Sequence, residues 1–393
     1  MNQALGYMLL VVLAPLAAMT SLFALQTLIG VANRKQVSFL GTLLPSVAIL
    51  VPAHNEEANI RETLLPIKSI LTEHDRLVVV ADNCTDSTAA IAAACGAEVC
   101  IRSNIEHRGK SYALDHGVRH LLADPRQVVI VVDADCQLAP GALELLSNEA
   151  FRLGRPVQAL YMMKPPPGAR LMTRIASFAW TIKNLVRPLG FASLGLPCQL
   201  MGTGMAFPWK LISTTPLASG HLVEDTMLGL ALAERSYAPV FCPGALVTSF
   251  FPNSQAGLKS QRYRWEHGHL TVVVHNAPKA LLRAIRTRNL SLAALAVDLM
   301  IPPVTLLILA LAFTLIAAAL LKISGGTSLP LSLSSDLACL VIGPVLLSWW
   351  RFGRDNLSLL DLCRGLAYIF WKIPVYLHFF VKRQVQWVRS ERD

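Results

Sequence analysis

Charge is scarce in this chain of 393 residues: Asp, Glu, Lys and Arg together make up 15%, against 53% hydrophobic residues and a mean hydropathy of +0.48. So few charges cannot cover a water-soluble globule of this length, and so much apolar content excludes a disordered chain. At least part of the chain therefore belongs in a membrane. Acids are scarcer than bases, 25 against 35, which leaves a formal charge of +10. With aromatics at 7% and no long basic run before the C-terminal half, that excess suits an anionic membrane surface or a phosphate-bearing substrate, and no nucleic-acid partner is expected. The eight cysteines include no Cys-x-x-Cys pair, so they read as small buried hydrophobes in a reducing compartment. The glycine and lysine spacing of a P-loop is also missing.

Residues 4–32 hold no charge at all, which is more than the ~20 apolar residues a spanning helix needs and too long for a signal-peptide core. Arg34 and Lys35 follow that segment, and by the positive-inside rule they place the N-terminus outside and what comes next in the cytoplasm. A second apolar block, 290–321, contains Asp298, expected near the membrane surface with the lining of a functional cavity as the alternative, and a Pro302-Pro303 step where an interfacial piece becomes a spanning one. A loop is expected over 324–335 and a third span over 337–350, with Arg351 and Arg354 back on the cytoplasmic side. The block 357–381 is interrupted by Arg364 and Lys372 and followed by a basic tail, so it reads as interfacial or re-entrant, with a fourth span as the alternative. The expected organisation is a transmembrane helix at 4–32, a cytoplasmic domain at 46–275, an interfacial helix at 276–289, a membrane region at 290–381 and a cytoplasmic tail at 382–393. In the interfacial helix Lys279, Arg283 and Arg286 share one stripe; across 170–190 the basic residues divide between opposite sides of the helical wheel.

Between residues 46 and 164 short apolar runs (46–52, 77–81, 98–101, 128–132 and 157–162) alternate with helix-like stretches. This is the pattern of an α/β, doubly wound, mostly parallel sheet covered on both faces. Such folds bind ligands at the carboxyl ends of their strands. Those ends carry His54-Asn55-Glu56-Glu57, Asp82-Asn83 and Asp133-Ala134-Asp135.

Two carboxylates leaving a mid-sheet strand together, as Asp133 and Asp135 do, suit Mg²⁺ or Mn²⁺ beside a phosphate, although a turn uses the same residues. Asp82 can hydrogen-bond a nucleotide or complete a turn. Lys110, after Arg108-Gly109 and at a helix start, can hold a phosphate. Glu224-Asp225 opens another helix, where acids are also favoured by the macrodipole. Gly202-Thr203-Gly204 is a turn suited to close approach by a substrate. Gln261, Arg264 and Trp265 fall at i, i+3 and i+4, so one helix face offers an amide, a guanidinium fork and an aromatic plate. His267, His269 and His275 match no strong zinc spacing and read as interfacial or solvated.

In this order, Val51-Pro52-Ala53-His54-Asn55-Glu56-Glu57, Asp82, Asp133-Ala134-Asp135, Glu224-Asp225 and Gln261-x-x-Arg264-Trp265 resemble the membrane-bound family 2 glycosyltransferases of GT-A fold. That group includes cellulose, chitin and hyaluronan synthases; the series is also similar to that of the ceramide glucosyltransferases. The resemblance implies Asp225 as catalytic base and Asp133 and Asp135 as holders of a Mg²⁺ or Mn²⁺ ion and the diphosphate. It implies a nucleotide sugar, UDP-linked by preference, bound by Pro52, Glu56, Asp82, Lys110, Asp133, Asp135, Gln261, Arg264 and Trp265. Acceptor contacts are expected from Gly202, Thr203, Gly204, Glu224 and Trp265. The expected activity is inverting transfer to a growing β-linked surface polysaccharide or a lipid-linked oligosaccharide, in the plasma or inner membrane, with partner subunits or self-association as options. Single addition to a lipid is the alternative, and a non-catalytic nucleotide-binding partner is a third.

Overall fold

The computed structural model describes residues 2–33, 45–220, 223–252 and 254–381. Eight strands form one sheet: β1 (Val47–Ala53), β2 (Arg76–Asp82), β3 (Glu98–Arg102), β4 (Val128–Val131), β5 (Gln137–Leu138), β6 (Val157–Lys164), β7 (Met205–Pro208) and β8 (Val240–Phe250). Their order is β3-β2-β1-β4-β7-β6-β8-β5. β3, β2, β1 and β4 run parallel, as do β6 and β8; β7 is antiparallel to both neighbours, and β5 to β8. The five expected runs are thus strands β1–β4 and β6. β5 and β7 are too short to show a period. β8 carries Pro243-Gly244 within it, beside a shift in its register with β6, and this punctuation hides the strand in the sequence.

Ile49, Leu50, Val79, Val80, Ile130 and Val131 are buried because helices cover both faces. Ile60–Ile70 and Ala142–Leu153 pack on one face, Lys110–Leu121 on the other. Two layers of helix thereby leave the carboxyl edge of the parallel strands as the open side.

Asn2–Ala32, Val304–Ile323 and a third helix over Leu329–Gly353 are long and apolar enough to cross a membrane. Leu290–Leu299 is a separate helix that stops ahead of Pro302-Pro303, where the sequence placed the step. The loop expected over 324–335 is shorter than that, since the third helix already starts at Leu329. Ser332 and Ser335 return their hydroxyls to the carbonyls of Leu329 and Leu331, so these polar residues are satisfied within the helix. Leu359–Val381 is one helix; on it Arg364 is exposed while Lys372 is buried and paired with Glu266. Five cysteines are buried as expected, but Cys84 is half-buried and Cys339 and Cys363 are exposed, because apolar neighbours do not reveal which side of a helix faces outward. Arg34, Lys35 and the tail 382–393 lie outside the described residues, and with them the expectations built on their charges.

Candidate functional site

Along the carboxyl edge of the sheet runs a cleft of about 310 Å³, bounded by Pro52 and Glu56 after β1, Asp82 after β2, and Asp133 and Asp135 after β4. Asp82 is buried, its Oδ1 accepting from Arg102 at 2.5 Å and from Asn83 at 2.9 Å. The backbone of Glu56 is tied by its N–H to Thr88 Oγ1 at 2.8 Å.

Asp133, Asp135 and Cys136 bring one ligand atom each within 4.8 Å of one another. Burial and then the two carboxylates push the Cys136 thiol well up, so it stays neutral and is a poor donor. The usable donors are two hard carboxylates, which fits Mg²⁺ or Mn²⁺ with substrate oxygens completing the shell. Lys110 opens the Lys110–Leu121 helix, pairs with Asp133 and donates to the Gly202 carbonyl at 2.8 Å. Burial alone would lower its pKa, but Asp133, Glu224 and Asp225 outweigh it and hold the ammonium charged.

Of the three residues expected at the acceptor in Gly202-Thr203-Gly204, only Gly202 borders the cleft. Thr203 is fully buried and accepts from the Asp133 N–H at 3.0 Å; a Cβ at Gly204 would stand 2.7 Å from Ala159 and Val247. Neither of these two residues lines the cleft where the acceptor contacts are expected, and Thr203 supports the backbone of Asp133 from beneath. The turn does require its glycines: φ is +91° at Gly202 and +64° at Gly204.

Glu224 and Asp225 begin the Glu224–Glu234 helix and face the cleft. Burial, and next the charge of Asp225, raise Glu224 to about 7. Asp225 is raised by burial too, opposed by the Thr226 N–H on its Oδ1 (2.8 Å) and by Lys110 and Lys183. A carboxylate placed in this way can accept a proton near neutral pH.

Gln261, Arg264 and Trp265 project into the cleft from one face of Gln255–Thr271, as their spacing predicts. Trp265 does not stand alone, because its ring centre lies 4.8 Å from that of Trp180 with the planes tilted 41°. Trp180 belongs to a stretch the sequence left unassigned. The helix Leu171–Thr181 continues through a π-turn, Ile182–Val186, into Arg187–Ser193, and it sends Lys183, Asn184 and Arg187 to the cleft. A helical wheel drawn at 3.6 residues per turn misses this, since a π-turn resets the phase.

Asp298 borders the cleft, as the alternative reading of this residue expects: its Oδ1 accepts from Arg187 at 2.7 Å and Gln26 at 2.8 Å, and its Oδ2 from Gln199 at 3.2 Å. The histidines divide as well. His275 is exposed, but His267 is buried with Nε2 3.1 Å from the Val375 carbonyl. His269 lines the cleft with Nε2 3.2 Å from the Ile301 carbonyl, and burial lowers it to about 4. The solvated reading fails for both because the 290–301 and 359–381 segments fold over them.

Two family models match the chain: the one described as Glycosyl transferase family 2 over residues 48–175, and the one described as Glycosyl transferase family group 2 over 128–352, more than half its length. A probable glycosyltransferase of Bacillus subtilis, YdaM, is 28% identical over 59% of this chain and 57% of its own. Glucomannan 4-beta-mannosyltransferase 7 of Arabidopsis thaliana is 25% identical over 63% of this chain and 46% of its own. The chain thus spans about half the length of these curated relatives. Among solved structures, the mannosyltransferase PcManGT from Pyrobaculum calidifontis, in complex with GDP-Man and Mn²⁺, aligns over 89% of this chain and 99% of its own, with a TM-score of 0.54 and 19% identity. That likeness bears on the fold, the GT-A arrangement that the resemblance implies.

Proposed function

This chain belongs to the family 2 glycosyltransferases, and we propose that it moves a sugar, with inversion at the anomeric carbon, from a nucleotide-sugar donor to an acceptor presented at the membrane. The observation that carries this reading is the convergence, in one cleft, of Asp82, Lys110, Asp133, Asp135, Asp225, Gln261, Arg264 and Trp265 from separate parts of the chain. Asp82 sits where a nucleoside would lie, at the end of β2. Asp133 and Asp135 would hold Mg²⁺ or Mn²⁺, which when bound neutralises diphosphate charge. Lys110 and Arg264 add fixed positive charge where the departing diphosphate gains negative charge. Asp225 takes the proton from the attacking acceptor hydroxyl, and its burial keeps its affinity for that proton high.

The donor is read as a UDP-sugar and the catalytic domain as cytoplasmic, with the product a β-linked surface polysaccharide or a lipid-linked oligosaccharide. Single addition to a membrane lipid is the second reading. It is favoured by the far end of the cleft, where Arg187 and Asp298 bond Gln26 of the apolar helix Asn2–Ala32. The test is nucleotide release by the purified protein across UDP- and GDP-sugars with Mg²⁺ or Mn²⁺, followed by sizing of the product. A ladder supports polymer extension and a single glycolipid supports one addition, whereas a protein that binds no nucleotide in the presence of metal is not a transferase of this kind.

A further inference from the structure

We propose that Lys183 is an acceptor-side anion site: it pairs with a phosphate or carboxylate carried by the molecule that receives the sugar. The inference rests on the transferase reading and adds a substrate class to it.

Lys183 leaves the π-turn Ile182–Val186 and extends into the cleft, exposed to it although protein surrounds it on all sides. Its ammonium stands 5.1 Å from the centre of the Trp180 ring, which in turn meets Trp265. Other charges around it are already matched. Arg187 pairs with Asp298 at 2.7 Å, Glu266 pairs with Lys372, and His269 is neutral near pH 7. Asp225, whose charge also reaches Lys183, takes its hydrogen bond from the Thr226 N–H. Among the described residues no carboxylate lies within 4.0 Å of the Lys183 ammonium.

The donor's charge has its own provision, in Lys110 and the Asp133/Asp135 pair. Asp225 feels cations from two sources, Lys110 of that group and Lys183 of the helix that carries Trp180 and Arg187. A neutral acceptor filling this end of the cleft would strip water from the ammonium and leave it an aromatic face and the charge of Asp225 beyond ion-pair distance. An anionic acceptor would pair with it there while its hydroxyl meets Asp225.

The experiment uses the full chain in detergent, with and without UDP or GDP and Mn²⁺, titrated calorimetrically with octyl phosphate, octyl glucuronide and octyl glucoside below their micelle concentrations. Wild type is expected to bind at least one anionic amphiphile about ten- to a hundredfold more tightly than the glucoside. Lys183→Met should erase that difference and Lys183→Arg should keep it, with nucleotide affinity unchanged in both. Preference for the phosphate points to a lipid phosphate as acceptor, and preference for the glucuronide to an acidic glycan. Equal binding of all three amphiphiles by wild type overturns the proposal, as does a preference that survives in Lys183→Met. Loss of nucleotide affinity in Lys183→Met would assign the residue to the donor, and a shift confined to the pH profile of turnover would make it a positioning residue for Asp225; either refutes it. Absence of metal-dependent nucleotide binding in wild type would strike the transferase reading separately, since the amphiphile titration without nucleotide reads Lys183 alone.

Discussion

Replacing Asp225 by Asn changes little in shape: the amide oxygen can still accept the Thr226 N–H that Oδ1 accepts at 2.8 Å. What is lost is the ability to take a proton. A positioned general base contributes about 10²- to 10⁴-fold, so turnover should fall by that factor, equivalent to about 3–5 kcal/mol of transition-state stabilisation. Nucleotide affinity should remain close to wild type, because the proposed metal ligands are Asp133 and Asp135 and the proposed nucleoside contact is Asp82. The assay pairs single-turnover nucleotide release with calorimetric binding of the nucleoside diphosphate and metal. The pH profile supplies an independent check. Burial raises Asp225, so the ionised base is lost on acidification at a higher pH than an ordinary Asp would lose it, while Glu224 beside it is lifted to about 7. Activity should therefore rise with pH toward neutrality. Glu224 is raised by the charge of Asp225, which therefore ionises first beside a neutral Glu224, so Glu224→Gln should leave this acid limb where it is. Wild-type turnover in Asp225→Asn would remove the residue from the proton transfer, and equal losses in turnover and nucleotide affinity would make it a donor ligand instead.

Asp135→Ala should abolish the metal-dependent part of nucleotide binding, because Asp133 and a neutral thiol make a poor site for a hard cation; unchanged metal-dependent affinity in calorimetry would reduce the motif to a turn. Lys372→Met strands Glu266 in a buried position one residue from Trp265, with a cost of about 3–5 kcal/mol, and adding Glu266→Gln should recover much of it in thermal unfolding. Additive losses in the double variant would contradict the pairing. Gly190→Ala places a Cβ onto the Gln26 carbonyl, where backbone meets backbone, and should destabilise the junction with Asn2–Ala32 by about 1–3 kcal/mol or more; an unchanged unfolding midpoint would mean the two helices are not so close.

The parallel half of the sheet and its ligand edge were legible because period and strand-end acids are local signals. Apolar runs with Asp82 and Asp133 at their ends can be read without knowing what packs on them. The spacing of Gln261, Arg264 and Trp265 likewise determines that they share a helix face. Chain length and hydropathy determine the three apolar helices. Tertiary structure decided the rest. β7 and β8 are strands because they have partners: one is too short and the other too interrupted to announce itself. Thr203 is a support under Asp133 because it is buried with its hydroxyl on the Asp133 N–H, and Gly204 is packed against Ala159 and Val247. Lys183, Arg187, His269 and Asp298 come from the stretches 182–187, 269 and 298, each ambiguous in sequence, and they meet only where the π-turn and the helix after it pack against Asn2–Ala32 and Leu290–Leu299. Local chemistry can say that a residue is charged, but whether that charge is matched depends on which distant segment is folded beside it.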